Sequence, residues 1–387
     1  MTSASTNVET ASSEKEPVAK RTPLCDEHVG LGARMVDFAG WWMPVQYKGL
    51  KEEHLCVRSA VGLFDVSHMG EFFVRGPKAL ETVQWLTSND ASVLKAGEAQ
   101  YSLLPNADGG LVDDLYVYCI EPNENYLLCV NAANIEKDWQ HVTKNNRGAE
   151  LVNASADWAQ IAVQGPKAPA LLERLFPGFL EMEKNRHREF AFRSTQVRVA
   201  TTGYTGEAGA EVFVPARHAV ELWRKLLQSG ADLGVQPIGL GARDSLRTEM
   251  KYSLYGHEID DTTNPFEAGL GWVVKASAKD FLGRGAMLKV KERGLKRKLV
   301  GLEVLERGIA RQGYSVHATS EAVSAGVERV GWCTSGTVSP CTGKTVAIAY
   351  VPIELAEVGK TVWIDIRSKP VRAQVCKTPF VEPGKIQ

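Results

Sequence analysis

The sequence predicts a mixed α+β protein that ends in a small β-barrel or sandwich. At 387 residues the chain exceeds what one core ordinarily organises, so two or three domains are expected. Over residues 21–290, runs rich in β-branched and aromatic residues alternate with segments whose apolar residues recur at helical spacing. From residue 291 to 387 the pattern changes to short strands over 299–304, 330–334, 345–350, 361–366 and 370–376. Turn residues separate them, and no clear helix intervenes.

Taken in order, residues 1–20 are rich in Ser, Thr, Ala and Glu and hold no aromatic residue, so they read as a disordered tail. Glu9, Glu14 and Glu16, with no Arg before Arg21, disfavour a mitochondrial presequence. A cytoplasmic location is therefore expected, with the mitochondrial matrix as the alternative. Residues 33–47 form a strand reinforced by aromatics and broken by Gly40 and Pro44, and 52–60 form a helix. A strand pair over 62–76 places His68 and Met69 at its bend, where a lone histidine is ordinarily a hydrogen-bonded structural residue. Leu80, Val83 and Leu86 mark a helix over 77–87. Strands follow over 100–104 and 125–130, the second ending in Asn131-Ala132-Ala133-Asn134, before a helix over 135–144. Strands over 158–163 and 196–202 flank a helix over 167–175, and Leu222, Trp223 and Leu226 share one face of a helix over 219–227. Residues 237–249 open another helix, dense in charge, whose Arg243 and Asp244 read on their own as an ion pair at its start. Residues 289–298 form a basic, glycine-interrupted connector into the C-terminal part.

Composition removes several classes of function. With 45 Lys+Arg against 46 Asp+Glu there is no basic footprint for nucleic acid or an anionic membrane, and no run reaches the roughly 18 apolar residues of a membrane span. Seven scattered cysteines without a C-x-x-C pair fit a reducing compartment and speak against structural zinc. His54 with Cys56, and Asp65 with His68, lack further ligands at a recognisable spacing, so no metal is expected. No G-x-x-x-x-G-K-[ST] and no G-x-G-x-x-G after a strand occurs, which leaves no fingerprint for a nucleotide or a flavin.

Two stretches carry chemistry. Gly109-Gly110 spells a tight turn into a strand, and that strand is interrupted by Asp113-Asp114. Neighbouring strand residues face opposite sides, so the two carboxylates should not share one environment and one should face inward. Taken alone the pair reads as an Asx turn or a helix cap. The second stretch, residues 201–214, holds three glycines that let backbone approach a partner closely before Glu211 begins a strand.

The ordered blocks Thr22-Pro23-Leu24, Met35 through Trp41, Phe64 through Met69, Gly109 through Leu115, Gly203 through Glu207, Gly241 through Arg247, Leu254-Tyr255-Gly256 and Thr334 through Pro340 resemble the glycine cleavage T-protein family of aminomethyltransferases. The resemblance runs from Thr22 to about Val381 and implies a three-domain cloverleaf with tetrahydrofolate in a central channel. It implies transfer of the methylene carbon from the aminomethyl-dihydrolipoyl arm of H-protein to tetrahydrofolate, with release of ammonia and formation of 5,10-methylenetetrahydrofolate. The catalytic carboxylate maps onto Asp114, and pterin-binding groups onto Glu211 and Arg243. Tyr101, Tyr204, Met69, Asn131 and Trp272 map onto the channel lining. No metal, flavin or nucleotide is implied; the partners are lipoylated H-protein and tetrahydrofolate. Two rivals share the build: a folate-dependent demethylase of a sulfonium substrate, and a non-enzymatic folate-binding module. The second carries K-G-C-Y-x-G-Q, where this chain reads Thr202-Gly203-Tyr204-Thr205-Gly206-Glu207 without cysteine.

Overall fold

In the computed structural model, residues 19–384 are described. The tail expected over 1–20 lies outside the described residues except at its end, where the expectation is corrected. The Lys20 amide donates to the Gly40 carbonyl at 2.8 Å and the Lys20 carbonyl accepts from Trp42 N at 2.7 Å. Lys20 thus joins the hairpin of strands Arg34–Phe38 and Trp41–Gln46, whose turn is closed by Ala39 and Gly40 at positive φ. Composition misses this because the stabilising groups are backbone amides.

Two sheets make the body. One has six strands in the order His187–Phe192, Thr195–Ala200, Gly209–Pro215, Trp158–Gln164, Val61–Asp65, Val235–Pro237, with the last pair parallel. Helices Ala168–Leu175 and Ala219–Ser229 cover it and bury Leu171, Leu172, Leu222, Trp223 and Leu226 against Val61, Ile161, Val163 and Val212. The other has five strands in the order Ala99–Pro105, Leu111–Glu121, Asn125–Val130, Gly70–Arg75, Glu150–Asn153. Helices Ala79–Leu86 and Ile135–Lys144 bury Val83, Leu86 and Val142 against Phe72, Val117 and Leu128. The chain passes from the first sheet to the second at 66–69, a turn in which Met69 N donates to the Val66 carbonyl at 3.0 Å, and returns at 154–157. Any residue in that turn therefore lies between the sheets.

The C-terminal strands close into a barrel in the order Arg297–Val304, Thr345–Pro352, Gly331–Val338, Ser315–His317, Thr361–Asp365, Pro370–Cys376. Two expectations change here. The basic connector is half helix: Arg284–Arg293 is held by a buried Met287 and stopped by Gly294 at φ 85°, so only three residues link it to the barrel. A short helix, Ser320–Ser324, also interrupts the strands, its start capped by the Thr319 hydroxyl.

Buried charge ties the barrel to the body. Arg247 and Glu258 are paired at 2.8 Å, and each bonds the Ser335 hydroxyl of the barrel at 2.6 Å. Ser339 donates to Glu249 at 2.6 Å, and Glu249 is also bonded by Arg58 and His54 at 3.0 Å. His54 thus meets ligand-type side chains other than Cys56, namely Glu249 and Cys341. The shared Glu249 carboxylate oxygen already lies against the Arg58 guanidinium, so the group works as an interdomain ion-pair network. Although burial opposes ionisation, the bonds from His54, Ser339 and Arg58 hold the Glu249 carboxyl down at about 2.

Candidate active site

The Gly109-Gly110 turn is dictated by what covers it. A Cβ on Gly110 would fall 1.8 Å from the Asp261 carbonyl oxygen, and Gly109 has φ 83°. The turn is pinned there by Leu111 N donating to the Asp260 carbonyl at 3.1 Å, which fixes the start of the strand carrying Asp113 and Asp114. In the hairpin register Leu103 stands opposite Asp114, so Tyr101 is its diagonal neighbour, and the Tyr101 hydroxyl donates to Asp114 Oδ2 at 2.8 Å. On the other side Tyr116 pairs with Cys129, and continuing that register sets Asn131 across from Asp114. The Asn131 amide donates to Asp114 Oδ1 at 2.9 Å.

Asp113 is fully buried and Asp114 half-buried, in line with strand alternation. The two carboxylates face different surroundings as expected but share one partner, because Asn131 Nδ2 also donates to Asp113 Oδ1 at 2.8 Å. Asn131 lies just beyond its strand, where the chain leaves the sheet plane, and its amide reaches round to both faces. Asp113 accepts two further bonds, from Asn131 N at 2.9 Å and Asn134 Nδ2 at 2.8 Å. Burial first, and then the neighbouring Asp113 charge, push the Asp114 carboxyl up to about 7, against the pull of the Tyr101 and Asn131 bonds.

A second group comes from the six-stranded sheet and the helix beside it. Glu211 lies in the strand Gly209–Pro215, two residues inside it rather than at its start, and accepts from the Thr202 hydroxyl at 2.5 Å. Burial raises its carboxyl above the usual range. Arg243, on helix Leu240–Glu249, lies with its guanidinium 4.6 Å from the Tyr204 ring centre and forms no side-chain hydrogen bond among the described residues. Asp244 is not its partner, contrary to the sequence reading. It is bonded by Arg247 Nε and Nη2 at 2.8 and 2.6 Å, because residues three apart share a helix face and adjacent ones do not. The Tyr204 hydroxyl is tied to the Ser253 carbonyl. Glu207, from the same glycine-rich block, pairs with the buried Arg58 at 2.9 Å and so supports the loop.

Tyr101 links the two groups to the surface. Its ring stacks on Trp272 at 6.0 Å with 22° between planes, and Trp272 is 63% exposed. Met69, in the crossover turn, packs both on the cluster of Phe64, Val66 and Leu246 and on that of Tyr118, Cys129 and Phe213. Beside it His68 is buried, lies edge-on to Phe38 at 5.8 Å, and leaves Nδ1 without a partner among the described residues. Burial and the Arg243 charge lower it to about 4, so it is neutral at working pH. Two surface clefts elsewhere, one lined by Glu183, Arg186 and Arg188 and one by Phe266, Arg284 and Lys291, hold none of the eight predicted residues.

Asp114 with Tyr101 and Asn131 thus stands on one wall and Glu211, Arg243 and Tyr204 on the other, with Met69 in the turn between the sheets and Trp272 stacked on Tyr101 at the surface. Sequence reasoning did not single out Thr202, Asn134 or Asp138. The last two sit at i and i+4 on one helix face, a spacing that was legible had the face been read as polar inward.

Comparison with known proteins identifies the family. The family model described as the GCVT N-terminal domain matches residues 24–278, and that described as the glycine cleavage T-protein C-terminal barrel domain matches 297–382. An aminomethyltransferase of Bdellovibrio bacteriovorus is 56% identical over 363 residues, covering 94% of this chain and 99% of that protein. One of Phocaeicola vulgatus is 46% identical, covering 93% and 99%. The crystal structure of the glycine cleavage system aminomethyltransferase T of Bartonella henselae superposes with a TM-score of 0.87 at 34% identity, over 95% of this chain and 99% of that one. With the models matched in order and relatives of this identity covered almost end to end, the chain belongs to the glycine cleavage T-protein family of aminomethyltransferases.

Proposed function

We propose that the chain carries out its family's tetrahydrofolate-dependent one-carbon transfer with Asp114 as the proton-handling carboxylate. In that reaction the methylene carbon of the aminomethyl-dihydrolipoyl group of H-protein passes to tetrahydrofolate, ammonia leaves and 5,10-methylenetetrahydrofolate forms. The observation that carries the assignment is Asp114 itself: half-buried, aimed by Tyr101 and Asn131 on one oxygen each, and poised at about 7. A group with that affinity for a proton is suited to polarising an N–H at neutral pH, and the aimed geometry supplies proximity.

The residues around it fit a reduced pterin. Glu211 accepts from the N–H groups of an amino-pyrimidinone edge, each such charge-assisted bond being worth roughly 1.5–3 kcal/mol. Arg243, with no anion bonded to it among the described residues, supplies donors to a carbonyl on the same ring. Tyr101 and Tyr204 flank the ring faces and keep their hydroxyls bonded to protein. Asn131 and Met69 close the inner end, and Trp272 lies at the rim, where a lipoyl arm enters.

H-protein is the proposed donor. Lys289, Lys291, Arg293, Lys296 and Lys298 are exposed, whereas Arg297 turns inward to Glu267 at 2.9 Å and lies over Trp332 and Tyr350. An acidic carrier would be steered by the exposed five, and the effect would weaken with salt. All seven cysteines are free, and among the described residues no helix is long and apolar enough to cross a membrane; we place the chain in the cytoplasm.

The test is direct. Purified protein given aminomethylated H-protein and tetrahydrofolate is expected to release ammonia and form methylenetetrahydrofolate, with a KM for H-protein that rises with ionic strength. Dimethylsulfoniopropionate with tetrahydrofolate is expected to give no methyltetrahydrofolate. The reverse pair of results would move the chain to the demethylase reading, and folate binding with neither turnover would move it to the binding module.

A further inference from the structure

Behind the Asp113–Asp114 pair lies a third carboxyl that the proposed chemistry leaves unused. Asp138 sits on helix Ile135–Lys144, which packs on the strand carrying the pair, and it is fully buried. A carboxyl in such a place is costly unless it is neutral or well bonded. Neither of its oxygens receives a donor among the described residues. Asn134, one turn before it on the same helix face, donates to Asp113 Oδ1 at 2.8 Å, so the Asp138 carboxyl faces that of Asp113.

Asp113 is served quite differently, by the three N–H donors from Asn131 and Asn134. Two buried carboxyls that face each other do not both ionise. With three donors on one and none on the other, the proton belongs to Asp138, whose O–H becomes the fourth donor to Asp113. Burial and the facing Asp113 charge push the Asp138 carboxyl up to about 11; Asp114 acts in the same sense, and Lys137 on its own helix opposes.

We propose that Asp138 is a positioning residue for Asp114, a buried neutral acid that fixes the Asp113 carboxylate and, through it, the Asn131 amide that aims Asp114. The order of contacts gives the route: Asn131 Nδ2 lies between Asp113 Oδ1 at 2.8 Å and Asp114 Oδ1 at 2.9 Å, so an Asp113 carboxylate free to turn would release the amide that orients its neighbour. This rests on the reading of Asp114 as the proton-handling group.

Two variants of the full chain test it. Asp138→Leu keeps the branched shape, with somewhat larger bulk, and removes the donor; kcat is expected to fall about tenfold or more while the tetrahydrofolate Kd, by calorimetry, moves less than about twofold. Asp138→Asn keeps a neutral donor, and is expected to restore kcat to within about threefold of the native value and leave the acid limb of the pH profile in place. Infrared spectra at pH 8 are expected to lose a protonated-carboxyl stretch in Asp138→Asn. Native kcat in the Leu variant, an Asn variant as slow as Leu, an acid limb moved to lower pH in the Asn variant, or no acid stretch lost would each overturn the proposal. Should the Leu variant fail to fold, the acid limb and the infrared difference of the Asn variant decide. Asp114→Asn, measured in parallel, separates the two readings. Full turnover there removes the role of Asp114 and this inference with it, whereas a slow Asp114→Asn beside a native Asp138→Leu overturns only the positioning role.

Discussion

Replacing Asp114 by Asn separates activity from stability, because the position is expected to favour one at the expense of the other. The carboxyl is pushed from its ordinary value to about 7 by burial and the Asp113 charge, so the fold favours its neutral form. For a carboxyl raised in this way the stabilising effect is full below its unfolded value, near 4, and is lost as pH rises through about 7. At pH 8 the native protein therefore carries an ionisation penalty of a few kcal/mol that an amide does not. The amide has its own cost. The two oxygens of Asp114 accept from Tyr101 and Asn131, and an Asn presents one acceptor and one donor to those two donors, leaving a bond unmade at about 1–3 kcal/mol. The penalty outweighs or matches that cost at pH 8 and is absent at pH 5. Asp114→Asn is thus expected to melt at or above the native Tm at pH 8 and below it at pH 5. Turnover, followed as ammonia release from aminomethylated H-protein, is expected to fall by about 10²–10⁴-fold. Native turnover itself should decline below pH 7 by about tenfold per unit as Asp114 takes up its proton. An Asn variant within tenfold of native turnover, or a native profile flat from pH 5.5 to 8, would refute the reasoning.

Two further outcomes are expected. Glu211→Ala should weaken tetrahydrofolate by roughly 1.5–3 kcal/mol, or one to two decades in Kd by calorimetric titration, and an unchanged affinity in the folded variant would remove Glu211 from the site. Arg247→Ala strands the buried Glu258 and its Ser335 contact; denaturant unfolding should show a loss of about 3–5 kcal/mol, and a loss under 1 kcal/mol would show that the barrel is held by its other contacts.

How much of this was legible depends on whether the deciding interaction is local. The helix over 135–144 matches its expected bounds because its apolar spacing is strong, and the Gly109-Gly110 turn was readable because paired glycines suit a tight turn, Gly109 at positive φ and Gly110 beneath the Asp261 carbonyl. The strand alternation of Asp113 and Asp114 followed from period two alone. Non-local partners were not readable. His54 meets Glu249 across 195 positions and Arg247 meets Ser335 across 88, and no spacing rule connects them. Lys20 escaped because its bonds are made by backbone, and the helix Arg284–Arg293 because a surface rich in Lys and Arg carries only one buried apolar anchor, Met287.

The same period-two alternation explains why a doublet of carboxylates makes sense where a single one would not. One residue apart, the two side chains enter different surroundings on one rigid strand. Asp113 is fully buried, with three N–H donors on it and the Asp138 carboxyl facing it. Asp114 meets a hydroxyl, one amide and the open side, and that amide nitrogen bridges the pair, 2.8 Å from Asp113 Oδ1 and 2.9 Å from Asp114 Oδ1. A charge that cannot move, placed beside one that can, raises the second group's affinity for a proton without occupying the space a substrate needs. Removing the acid behind Asp113 would therefore disturb chemistry at a carboxylate that it touches only through intermediaries.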